Sequence, residues 1–123
     1  ELVGLSERAD DLAGSYSGGM KRRLMVARAI VHDPDLVILD EPTAGLDVLA
    51  ARRIHNLVRE IAKKGKTVIL TTNALEDVEK TADRIALLDR GKLIVVGDKE
   101  ALKRKFGEKS LEGLFIKLIE GED

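Results

Sequence analysis

A chain of 123 residues, 44% of them hydrophobic, is long enough to bury one core and too apolar for an intrinsically disordered segment. Its 21 basic and 22 acidic side chains nearly cancel, which leaves no electrostatic footprint for nucleic acid, and the absence of cysteine excludes a disulfide framework. The apolar runs "LVIL", "IALL" and "LIVV" fall far short of the ~18 residues that span a bilayer, and three aromatics (Tyr16, Phe106, Phe115) make no stacking platform for single strands.

In chain order, Ser17 is an N-cap ahead of a helical pattern reaching about His32, with Met20, Leu24, Ala27 and Val31 at helical spacing. Asp33-Pro34-Asp35 ends it, because proline disfavours helix in the residue before it. Leu36 to Asp40, "LVILD", is a short apolar run ending in a carboxylate, the pattern of a strand buried on both faces of a parallel sheet. After the loop "EPTAGLD", Asp47 is placed to cap a helix from Val48 to about Lys63. That helix buries Ile54, Leu57, Val58 and Ile61, exposes Arg52, Arg53, Arg59 and Glu60, and puts His55 on its exposed face. Gly65 closes it, with Lys63 and Lys64 complementing the dipole.

Thr67 to Thr72 reads as a second buried strand, a short helix follows from about Leu75 to Ala82, and Arg84 to Asp89 is a third strand. Arg90-Gly91 turns the chain into "KLIVVG" as its antiparallel partner. Two small helices end the chain, the last capped by Ser110 and carrying Leu111, Leu114, Phe115 and Leu118 as one stripe. This alternation predicts an α/β fold, a mainly parallel sheet flanked by helices with a C-terminal β-hairpin and small helices. Gly107 to Ser110 is the hinge candidate, setting a helical tail (107–123) apart from a partial domain (1–106).

The segment "SYSGGMKRR" approximates a phosphate-binding loop, with Gly14 and Gly19 at the right separation. Yet Met20, not Lys, follows Gly19, and the preceding "SERADDLAG" is not strand-like. Gly18 and Gly19 allow close approach of a backbone, amides at a helix start attract an anion, and Ser17 adds a hydroxyl. A glycine-rich helix start capped by Ser17 is the alternative. Asp40 and Glu41 stand at the carboxyl end of a strand, where open α/β sheets bind ligands. Asp40 there suits Mg²⁺ beside nucleotide phosphates, and Glu41 can polarise an attacking water. Two acids opening a surface turn is the competing reading. His32 and His55 attract no metal or catalytic role, and Lys21, Arg22 and Arg23 read mostly as a solvated helix face.

With "YSGGM" and "LVILDEPTAGLD" separated by a helix, the chain resembles the ATP-binding cassette (ABC) ATPases over essentially its whole length. The resemblance implies the C-terminal part of a P-loop NTPase domain. It places Tyr16, Ser17, Gly18, Gly19 and Met20 at the signature motif, which in the family binds the γ-phosphate of ATP held by another subunit. Tyr16 replaces the usual Leu and Met20 the usual Gln, and Met20 cannot donate a hydrogen bond. Asp40 stands at the Mg²⁺-holding Walker-B aspartate, Glu41 at the catalytic glutamate, and Ala44 to Asp47 at the D-loop, a role for Asp47 that is compatible with capping.

Asn73 occupies the place of the family's switch histidine. An amide donates a hydrogen bond to phosphate but never becomes cationic, so slowed hydrolysis with ATP-driven dimerisation retained is the expectation. Capping of the next helix is the alternative for Asn73. The implied cofactors are ATP and Mg²⁺. The implied partners are a second nucleotide-binding subunit, packed head to tail, and a membrane-spanning permease; no nucleic acid is expected. The implied location is cytoplasmic, peripheral on the inner face of the membrane.

No glycine-rich loop followed by Lys-Ser/Thr occurs in these residues, nor the family's adenine-stacking aromatic or Q-loop glutamine. The start at Glu1 rather than Met reads as an internal fragment or a trimmed chain. The chain alone is therefore expected neither to hydrolyse ATP nor to bind it tightly, and its open sheet edges invite self-association. "YSGGM" and the terminal "SLEGLFIKL" resemble the drug- and lipid-exporter branch. Two other readings stay open: a regulatory or pseudo-ATPase half that completes a partner's site, and a soluble ABC ATPase acting on nucleic acid or the ribosome.

Overall fold

A computed structural model describes residues 18–121, which fall into two compact units that part after Asn73. In the first unit the order is α1 (Gly18–Ile30), β1 (Leu36–Asp40), α2 (Val48–Lys63) and β2 (Thr67–Thr71). The strands are parallel and in register, with Leu36 opposite Thr67 and Asp40 opposite Thr71. The core gathers Val26 of α1, Val37 and Leu39 of β1, and Ile54, Leu57, Val58 and Ile61 of α2. Each such side chain contributes about 1.5–3 kcal/mol on burial, so α2, with four of them at helical spacing, anchors the unit. Asp47 caps α2 by accepting the Ala50 amide at 2.8 Å, and Gly65, at φ +88°, follows its end.

Several sequence expectations need correction. β1 is buried on one face, not two: Val37 and Leu39 point inward while Leu36 and Ile38 are 49% and 63% exposed. β2 likewise turns only Val68 and Leu70 toward the core. Among the described residues the parallel pair has a single helix layer to pack on, so alternate residues face out. α1 ends at Ile30, where the Asp33 amide donates to the Ile30 carbonyl at 3.0 Å. Its buried position is Val26, with Ile30 packed beside it, and Val31 lies outside the helix and exposed. His55 is buried, not exposed, because it flanks Ile54 and Val58 on a stripe wider than the strictly apolar positions suggest.

The second unit contains α3 (Leu75–Thr81), β3 (Arg84–Asp89), β4 (Lys92–Asp98), α4 (Lys99–Lys105) and α5 (Leu111–Glu120). β3 and β4 form the expected antiparallel hairpin, and β3 has no other strand partner among the described residues. Arg90 and Gly91 carry φ of +48° and +77°, the paired left-handed turn that matches strand twist in two-residue hairpins. Asp98 caps α4 through the Ala101 amide and Ser110 caps α5 through the Gly113 amide. Leu102, Leu111 and Leu114 make the core of this unit, with Leu75, Val78, Ile85 and Val95 against them. The 107–110 segment is thus followed by a helix packed into this core.

A polar clamp reinforces the unit. The Lys103 ammonium, 10% exposed, donates to Glu79 Oε1 at 2.7 Å, and Lys99 Nζ donates to the Glu79 carbonyl at 2.8 Å. The Lys103 hydrogen bond holds the Glu79 carboxyl below its ordinary 4.5, against the opposing pull of burial. The same bond raises Lys103 above 10.5. The Glu79 share of stability is therefore complete above about pH 4.5 and disappears as pH falls through the lower folded value. The Lys103 share is present below 10.5 and disappears as pH rises past its raised folded value. In thermal melts across acid pH, Glu79→Gln should start less stable at neutral pH and lose less on acidification than the unsubstituted chain. Parallel acid curves for the two would show that the clamp contributes nothing.

Candidate functional site

The glycines that begin α1 and the loop that begins α2 are far apart in sequence, and packing brings them together. Gly18, Gly19, Met20 and Arg23 of α1 and Gly45, Leu46, Asp47, Leu49, Ala50 and Arg53 on the α2 side line one cleft of about 350 Å³. The two glycines serve different purposes. A Cβ on Gly19 would meet the Ala50 Cβ at 3.0 Å, so Gly19 is what lets the two helices touch. A Cβ on Gly18 would meet no described atom within 4 Å. Gly19→Leu should therefore cost about 1–3 kcal/mol in chemical denaturation, whereas Gly18→Leu leaves stability within about 0.5 kcal/mol. Equal losses would show that neither contact distinguishes them.

The electrostatics of the cleft suit an anion. The α1 amides carry the positive end of the helix dipole, and Arg23 and Arg53 add two guanidiniums. Burial, and then repulsion from Arg53, lower Arg23 from its ordinary value, yet a guanidinium stays protonated at neutral pH. Tyr16 and Ser17 lie outside the described residues.

Asp40 and Glu41 sit at the carboxyl end of β1, as the sequence implied. The Thr71 hydroxyl donates to Asp40 Oδ1, and the Glu41 amide donates to the Thr71 carbonyl at 2.7 Å. Glu41 adopts a left-handed φ of +49°, which turns the chain sharply at the strand end. Pro42, behind it, is buried. Among the described residues no three His, Cys, Asp or Glu side chains gather as a metal cage, and Asp40 presents one exposed carboxylate. Such a donor set fits Mg²⁺, which takes one or two carboxylates together with phosphate oxygens and waters.

Arg22 was missed as a site residue in the sequence. Far from facing solvent, it is half-buried: Nη1 donates to the Glu41 carbonyl and Nη2 to the Ala44 carbonyl, both at 2.9 Å. A usable signal did exist, since three consecutive residues of a helix sweep about 200° and cannot all share one solvated face. Asn73 is exposed, two residues past β2, and the capping role is corrected: Ala74 is the N-cap of α3 and makes no side-chain bond.

An ABC transporter family profile matches residues 1–44. The chain is 43% identical over 107 residues to the linearmycin resistance ATP-binding protein of Bacillus subtilis (strain 168), covering 87% of this chain and 34% of that protein. It is 44% identical over 108 residues to the daunorubicin/doxorubicin resistance ATP-binding protein of Streptomyces peucetius, covering 88% and 33%. It thus spans about a third of the length of these relatives. Among solved structures, an ATP-binding subunit of an ABC transporter superposes with a TM-score of 0.75 at 32% identity, over 94% of this chain and 49% of that one. The ADP conformation of an ATP-binding cassette of an ABC transporter gives 0.78 at 28% identity, over 94% and 46%.

Proposed function

The chain belongs to the ATP-binding cassette (ABC) ATPase family, and on that premise we propose that it is the signature-motif and Walker-B half of a nucleotide-binding subunit that drives export through a membrane-spanning permease. Gly18 and Gly19, with Tyr16, Ser17 and Met20, face the γ-phosphate of ATP held by a second, head-to-tail subunit. Asp47 borders that cleft. Asp40 would hold Mg²⁺ and Glu41 would accept the proton of the attacking water in the protomer's own site, with Asn73 placed to donate a hydrogen bond toward phosphate. ATP supplies the chemistry; these residues orient the water and balance charge. Export agrees with relatives named for resistance to linearmycin and to daunorubicin/doxorubicin. No helix among the described residues is long and apolar enough to cross a membrane. On this reading the permease holds the subunit at the inner membrane face.

One observation carries the head-to-tail reading: the cleft over Gly18 and Gly19 is lined by Asp47 but by neither Asp40 nor Glu41. Two phosphate-handling surfaces that do not share a cleft serve two nucleotides more readily than one. Complementation tests this in full-length protomers that contain these residues. Gly18→Asp disables one surface and Glu41→Gln the other, so each homodimer is inactive. Mixing them creates dimers with one intact composite site, and up to about a quarter of unsubstituted activity should return, the full quarter if the sites act independently. No recovery on mixing would mean that both surfaces act within one protomer.

A further inference from the structure

We propose that Arg22 is a positioning residue that couples the two nucleotide sites of the dimer by tying the start of α1 to the backbone of Glu41; this rests on the head-to-tail reading above. Arg22 lies one helical turn beyond Gly18. Its two terminal nitrogens are spent on a single loop, at 2.9 Å from the Glu41 carbonyl and 2.9 Å from the Ala44 carbonyl. Neither acceptor is a carboxylate, so this is a charge-assisted fork on backbone, and the planar guanidinium fixes direction as well as distance.

The loop needs a brace. Glu41 holds a left-handed φ of +49°, a conformation that a non-glycine residue keeps only where its surroundings impose it. The Thr71 carbonyl holds the Glu41 amide from β2, and the Ala44 amide closes on the Glu41 carbonyl at 3.1 Å. Arg22 supplies the hold that comes from α1. In a head-to-tail dimer Gly18 and Gly19 meet the partner's nucleotide, while Glu41 serves the nucleotide bound in its own protomer. Arg22 therefore links a residue pair of one site to the base of the other through one helical turn and one side chain. Contact at one phosphate that shifts α1 shifts the fork, and with it the backbone that aims Glu41.

The test is ATP hydrolysis against ATP concentration in the full-length protomer for the unsubstituted protein, Arg22→Lys and Arg22→Met. The unsubstituted protein should be cooperative. Arg22→Met removes both bonds, so the Hill coefficient should fall to the value that ATP-driven dimerisation alone gives and kcat by roughly 5- to 30-fold, with that dimerisation and KM unchanged. Arg22→Lys keeps the charge but cannot fork, and should fall between. Cooperativity unchanged in Arg22→Met, or absent from the unsubstituted protein, overturns the proposal. So does a fall in kcat with the Hill coefficient intact, which would mark a merely structural brace. If Arg22→Met melts below the assay temperature, an unaltered Hill coefficient in Arg22→Lys overturns it equally. The two readings fail separately: without recovery in the Gly18→Asp and Glu41→Gln mixture the head-to-tail site falls, and with recovery but undiminished cooperativity in the Arg22 variants only the coupling falls.

Discussion

Glu41→Gln in a full-length protomer should lower ATP turnover by roughly 100- to 1000-fold while the MgATP-driven dimer persists. The substitution keeps the shape and one acceptor oxygen but removes the group that takes a proton from water. The contacts that hold this loop run through the backbone: the Glu41 amide reaches the Thr71 carbonyl, and its carbonyl receives Arg22 and the Ala44 amide. The side chain is therefore free to change without the loop giving way. Phosphate release measured alongside size-exclusion chromatography separates chemistry from assembly. Turnover within a few fold of the unsubstituted protein would remove Glu41 from the role of base.

The second large effect is a gain. Asn73→His should raise turnover by roughly tenfold near neutral pH, because an imidazole can donate and also carry charge where an amide can only donate. The position can accept the change: Asn73 is exposed past the end of β2, and the helix that follows uses Ala74, not Asn73, at its cap. The gain should shrink as pH rises through the imidazole value of about 6.5, since the cationic form is then lost. A pH–rate profile of both forms reads it. Turnover unchanged or lower in Asn73→His would mean that the amide is not what limits hydrolysis.

Local chemistry was legible wherever one residue decides the outcome. Asp47 and Ser110 announce helix starts because a carboxylate or a hydroxyl accepts from the amide three residues on, and Gly65 announces a helix end because, lacking a Cβ, it takes a positive φ at no steric cost. The hairpin was legible at Arg90-Gly91 for the same reason. Burial was read less well. The apolar run at β1 gave no hint that Leu36 and Ile38 would face outward, because a run of apolar residues says how much can be buried and not how many layers are there to bury it. His55 illustrates the converse: a polar label hid a position that the α2 stripe covers.

The sequence by itself determined the order of helices and strands, the glycine-rich start of α1, and a strand that ends in Asp40 and Glu41, since each depends on residues within one turn or one strand of each other. Tertiary structure decided which of those residues work together. Only packing shows that Gly19 lies against Ala50 while no described atom crowds Gly18, and only packing carries Arg22 across to the backbone of Glu41. The physical reason is one of range: caps, turns and periodicity act over a few bonds along the chain, whereas a 3.0 Å approach between helices or a 2.9 Å bond across 19 residues exists only once the core has closed.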